Sequence, residues 1–177
     1  MRRIGTLRKK QTQQIRNKIY DYLSSNPGIS QSKLAEMLDM GTSSIKYHLD
    51  HLQKNDLILA VRDKNFYCKR YYIKNGCIGN KDREILSLLR QKYILDIVLI
   101  LNKGRNLTHK EILRRMGMTL KSKLSYHLAK LVDSGLVDVS TYGKEKGYCL
   151  KNRTEINRIL DNYILNIESK FSRDHIS

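Results

Sequence analysis

Two short sets of residues have the types and spacing to make non-covalent contacts with a polyanion: Thr42, Ser43, Ser44, Lys46 and Tyr47, and then Lys121, Ser122, Lys123, Ser125 and Tyr126. Each set heads a segment of helical period. The two segments correspond, because SSIKYHLDHLQKNDLI at Ser43–Ile58 returns as SKLSYHLAKLVDSGLV at Ser122–Val137, 79 positions later. With Ile45 pointing inward and about 100° per residue, Ser43, Tyr47, Asp50 and Lys54 fall on the outward line, flanked by Ser44 and Lys46. The second copy presents Ser122, Tyr126, Ala129 and Asp133, flanked by Lys123 and Ser125. Short hydroxyls and lysines at a helix N-terminus reach base edges and phosphates, and the helix dipole favours an anion there. A tyrosine on that line can touch a thymine methyl or a sugar and set its hydroxyl on a phosphate. The alternative for each tyrosine is a ring laid across its own module.

The charge supports a polyanionic partner. Lysine and arginine number 34 against 17 acidic residues, a net of +17. The excess is +9 in residues 1–78 and +8 in residues 79–152, while residues 153–177 are neutral. A field of that sign attracts nucleic acid or an anionic membrane surface. The membrane is the poorer fit as a medium to cross: the most apolar run, Ile94–Leu101, is eight residues long and contains Asp96, far short of the ~20 a spanning helix needs. The basic N-terminus has no apolar run behind it, as a secretory signal requires. Cys68, Cys77 and Cys149 are odd in number and unpaired in spacing, which fits a reduced, cytoplasmic setting.

The elements that must position the two sets follow from periodicity and breakers. Residues 1–11 read as a basic arm, disordered until bound, carrying Arg2, Arg3, Arg8, Lys9 and Lys10. Residues 12–76 read as one module. A helix carries Ile15, Ile19, Tyr22 and Leu23 and stops at Asn26-Pro27-Gly28; a second is capped by Ser30; a third is capped by Thr42 or Ser43 and buries Ile45, Leu49 and Leu52. A hairpin follows around Asp63-Lys64-Asn65. Residues 81–152 repeat the order, led by a linker helix, with Thr108 as the cap and Leu124, Leu128 and Leu131 as the buried face. The hairpins offer Arg62, Lys64, Lys69 and Arg70 in the first copy and Lys144 and Lys146 in the second, cations that track phosphates without reading sequence. Residues 153–171 form a last helix whose stripe of Ile156, Leu160, Tyr163, Ile164 and Ile167 must dock on the body or on a second subunit; we expect a homodimer through it.

Two helices joined by a short turn, the second with an exposed polar face, followed by a hairpin, make a winged helix-turn-helix. The stretch SxxxYHLxxLxxxxLI and the lead-in NPGISQSKLAEML resemble archaeal and bacterial winged-helix transcription regulators of the ArsR/MarR type. The resemblance covers both copies, most of residues 12–151. It implies a mainly α chain with small β-hairpins (α+β), in two tandem winged helix-turn-helix domains plus a C-terminal helix, that binds double-stranded DNA. The Cys-x-Cys pair of the metal-sensing relatives is missing.

Other chemistries lack their residues. No nucleophile–base constellation, paired carboxylate, phosphate-cradling glycine loop or zinc spacing is present, so we expect no enzyme, cofactor or metal. His48 and His127 lie beside the buried stripe and read as packed, hydrogen-bonded histidines. Cys68 and Cys149 each follow a tyrosine and read as equivalent, packed thiols. The leading expectation is a sequence-specific transcription regulator. The alternatives are a tandem winged-helix subunit of transcription, replication or translation machinery that binds protein or RNA, and an interaction scaffold, which would leave the charge of the modules without a use.

Overall fold

A computed structural model describes residues 2–62, 68–76, 78–117, 119, 121–142 and 145–165 of the chain. They divide into one compact unit reaching to residue 83 and a second spanning residues 84–165. The first unit is α1 (Arg2–Ser25), β1 (Ile29–Ser30), α2 (Gln31–Met37), α3 (Thr42–Lys54), β2 (Ile58–Arg62) and β3 (Lys69–Ile73). Helix α1 buries Ile19 and Leu23 completely and ends where Asn26 Nδ2 donates to the Tyr22 carbonyl at 3.1 Å, ahead of Pro27, which has no N–H to continue the ladder. Ser30 caps α2 by accepting from the Lys33 amide. Leu34, Ile45, Leu49, Leu52, Ile58 and Tyr71 close the core around α1; each fully buried aliphatic side chain contributes about 1.5–3 kcal/mol.

Helix α4 (Asn80–Leu89) runs across the boundary. At its start the Tyr72 hydroxyl donates to the Arg83 carbonyl at 3.3 Å, and the Arg83 guanidinium lies 5.5 Å from the Tyr72 ring centroid. The second unit continues with α5 (Lys92–Lys103), β4 (Leu107–Thr108), α6 (His109–Arg115), α7 (Lys121–Asp133), β5 (Val137–Tyr142), β6 (Glu145–Leu150) and α8 (Arg153–Leu160), closed by a π-helical turn at Asp161–Leu165. Thr108 and Glu111 form a reciprocal capping box on α6. The expected class holds: mainly helical, with a small antiparallel sheet in each unit.

Each sheet has three strands, ordered β1-β3-β2 and β4-β6-β5. The hairpins were legible in the sequence; β1 and β4 were not, because a two-residue strand has no period to read. Their registers fix the correspondence between units. Ile29 faces Tyr71 and Leu107 faces Tyr148, so Arg70 corresponds to Gly147 and Tyr72 to Cys149. The expected equivalence of Cys68 and Cys149 is therefore wrong: a tyrosine precedes both, but the strand register places them at different points on the sheet.

Three further expectations change. Residues 2–11 are part of α1, where a disordered arm was expected; Gly5 is the poorest helix former among them and no proline stops the helix. The α8 stripe is not open to a second subunit, because Ile156, Ile159, Leu160 and Ile164 are buried within this chain. Arg153 holds the start of α8 on the end of α5 through the carbonyls of Leu101, Asn102 and Gly104, and Arg90 donates to the carbonyl of the half-buried Tyr163 at 3.1 Å. Ile167 lies outside the described residues. Helix α8 thus belongs to the second unit and is not a separate segment.

Candidate nucleic-acid interface

The head of α3 is built so that its hydroxyls stay unused. Gly41 is the N-cap, with no side-chain cap bond, where Thr42 or Ser43 was expected. The Thr42 carbonyl accepts from Gln31 Nε2 at 3.0 Å, which ties α2 to α3. Thr42, Ser43, Ser44 and Lys46 are all exposed, and Tyr47 is 60% exposed. In the second unit Lys121, Ser122 and Ser125 are exposed and Tyr126 is 59% exposed. Neither ring lies across its own sheet; both project from the outward line of their helix.

Behind each tyrosine is a histidine, His48 buried and His127 half-buried. Tyr47 meets His48 edge to face at 5.2 Å, and Tyr126 meets His127 in the same way at 5.2 Å. His48 and His127 are packed, as expected, but Nδ1 of each is buried without a hydrogen-bond partner among the described residues. Burial pushes both pKa values down, helped by the positive charge of Arg16 and His51 at His48 and of Lys123 and Lys130 at His127. Both imidazoles are therefore favoured in the neutral form.

A cation joins α1 to α3 in the first unit and α5 to α7 in the second, and the two units build this contact in opposite directions. In the first, Arg16 of α1 lies 6.0 Å from the Tyr47 ring centroid on α3. In the second, Lys123 of α7 sits 3.7 Å from the Tyr93 centroid on α5, and Tyr93 stacks on His127 at 5.5 Å and 17°. Arg16 and Tyr93 escaped the sequence reading: each sits on a helix assigned to the core, and only the packing brings it beside the outward-line residues of α3 or α7.

The wings agree in part. Arg62, Lys69 and Lys146 are exposed, whereas Lys64 and Lys144 lie outside the described residues. Arg70 is not a phosphate contact: it is 8% exposed, and its Nη1 donates to the Gly28 carbonyl at 3.4 Å. The inward-facing positions of β3 pack under β1, and the charge pattern alone did not reveal that. On the helical N-terminal extension Lys9 and Lys10 are exposed; the side chains of Arg2, Arg3 and Arg8 lie outside the described ones. Among the described residues no group of three His, Cys, Asp or Glu side chains is arranged to hold a metal ion, and no helix is long and apolar enough to cross a membrane.

Two family models match in succession along the chain, an N-terminal HTH domain over residues 13–86 and a helix-turn-helix domain over residues 83–140. The chain is a tandem winged helix-turn-helix protein. Three solved structures similar to parts of this tandem protein illustrate the likeness. A predicted DNA-binding transcriptional regulator from E. coli is 26% identical, covering 44% of this chain and 80% of that one, with a TM-score of 0.40. The transcriptional repressor BigR from Xylella fastidiosa is 23% identical, covering 44% and 76%, with a TM-score of 0.40. The AntR antimony-specific transcriptional repressor is 16% identical, covering 49% and 77%, with a TM-score of 0.42. Comparison with curated proteins gives no match.

Proposed function

We propose that this tandem winged helix-turn-helix protein is a transcription regulator that binds double-stranded DNA, with α3 and α7 each directed at a major groove and the wing cations Arg62, Lys69 and Lys146 on phosphates. The observation that carries the reading is the twofold occurrence of a tyrosine about 60% exposed, on a helix headed by hydroxyls and lysines, with a net charge of +9 over residues 1–78 and +8 over residues 79–152. A purely structural helix face has no need of an exposed aromatic ring at the same place twice. Helix-turn-helix modules act by binding.

The helical form of residues 2–11 narrows the role of the basic extension. An α-helix is about 10–12 Å across and the minor groove about 6 Å wide, so the extension as folded serves phosphates rather than a minor groove. A homodimer stays part of the proposal, with its interface off the buried face of α8; sedimentation of the full chain with and without duplex tests it. Selection from a random duplex pool tests the main reading. Enrichment of a common motif is the expected result, and a chain that retains no duplex at low salt would refute it.

A further inference from the structure

The two recognition helices are not equally available. Position by position, Ser44 corresponds to Lys123 and Lys46 to Ser125, on either side of the buried Ile45 and Leu124. In the first unit Ser43, Ser44 and Lys46 are exposed and make no side-chain hydrogen bond or ion pair among the described residues. In the second unit the counterparts of Ser44 and Lys46 are already engaged, while Ser122, the counterpart of Ser43, is exposed. Lys123 is half-buried with its ammonium on the Tyr93 ring. Ser125 Oγ donates to the Lys121 carbonyl at 3.1 Å, and with that proton committed it accepts from His109 Nε2 at 3.0 Å.

His109 and Gln31 occupy the same place, the first residue of the helix before the recognition helix. They spend their bonds differently. Gln31 takes a backbone carbonyl and leaves the side chains of α3 free, whereas His109 takes a side chain that would otherwise face a base. Further along, the outward line ends in Lys54 on α3 but in Asp133 on α7, and Arg16 adds a cation beside Tyr47 from outside the helix. For Lys123 or Ser125 to reach a base edge, the contacts to Tyr93 and His109 must first break.

We propose that the first unit reads sequence, through Ser43, Ser44, Lys46 and Tyr47, while the second unit supplies backbone affinity, its Lys123–Tyr93 and Ser125–His109 contacts serving to fix α7. This division of labour rests on the DNA-binding reading. The test compares, for the full chain, affinity for a duplex recovered by selection with affinity for a scrambled duplex of equal length. Two matched pairs of substitutions follow, Ser44→Ala with Lys46→Ala, and Lys123→Ala with Ser125→Ala; unchanged thermal melts confirm that each variant is folded. The first pair is expected to lower the ratio of specific to scrambled affinity by about tenfold or more, the loss of one good base contact. The second pair lowers both affinities together and keeps the ratio within about threefold. A ratio that falls as far for the second pair as for the first, or that neither pair changes, overturns the division of labour. If the parent chain holds duplexes but enriches no motif, this inference falls while DNA binding stands. If it holds no duplex, both readings fall at the first measurement.

Discussion

At the scale of single residues, Arg16 and the two histidines carry the most consequence. Arg16 is half-buried, its Nε has no hydrogen-bond partner among the described residues, and its guanidinium stands beside an exposed tyrosine. A buried donor without a partner calls for an acceptor, and a phosphate oxygen reaching the exposed tyrosine would supply one. Arg16→Ala should weaken binding to all duplexes alike and lower the slope of log affinity against log salt by about one, measured by titration at several salt concentrations; an unchanged slope makes Arg16 a packing residue. His48 and His127 make stability depend on pH. Their folded pKa values are lowered, chiefly by burial, while the unfolded value is about 6.5. Between the two the unfolded chain binds more protons, so stability is full above about pH 6.5 and falls as the pH drops towards the folded values. Denaturant midpoints should fall from pH 7 to about pH 5, and His48→Gln with His127→Gln should flatten that fall.

At the scale of elements, the two units solve the same backbone problems with different residues. The turn before the recognition helix needs a left-handed residue, Asp39 (φ 49°) in one unit and Gly117 (φ 62°) in the other; the turn after it uses Asp56 (φ 60°) and Gly135 (φ 73°). An added Cβ at Gly135 would meet nothing within 4 Å, so Gly135→Ala isolates the backbone cost. It should destabilise the second unit by about 1–2 kcal/mol, read from chemical denaturation. The sheets show a second exchange. Gly28 and Arg70 form one pair, with the Arg70 side chain bonded to the Gly28 carbonyl, and Asn106 and Gly147 form its counterpart. There Asn106 bonds Ser140 at 3.0 Å, and any side chain at 147 would run into Asn106. Helix α8 is a core element: Ile159 is fully buried, and Ile159→Ala should cost about 2–5 kcal/mol in the same measurement. A loss of a few tenths would mean that the helix packs loosely enough to leave.

At the scale of the whole molecule, charge sets affinity. If the two units and the extension together neutralise about 6–10 phosphates, duplex affinity should fall by about 10³–10⁵ between 50 and 200 mM salt. A flat response in that titration would leave the net charge of +17 without its partner. The duplication, the helix-turn-helix order, the buried stripes and the caps at Ser30 and Thr108 were legible in the chain because each is local: a 3.6-residue period, a hydroxyl three positions before an amide, or a segment that returns in register. What lay beyond reach needed partners distant in sequence. The strands β1 and β4 exist only by pairing with β3 and β6. Arg70 reads as a wing cation until β1 covers it, and the α8 stripe reads equally as a docking face for the body or for a second subunit until the fold buries it within the chain. The same holds for function. Residue types and spacing determined that two corresponding helices with a polar, basic outward face are present, because periodicity and charge are properties of the sequence itself. Only tertiary packing decided which of their side chains are already engaged, because Lys123 and Ser125 meet Tyr93 and His109 across helices that nothing in the local pattern brings together.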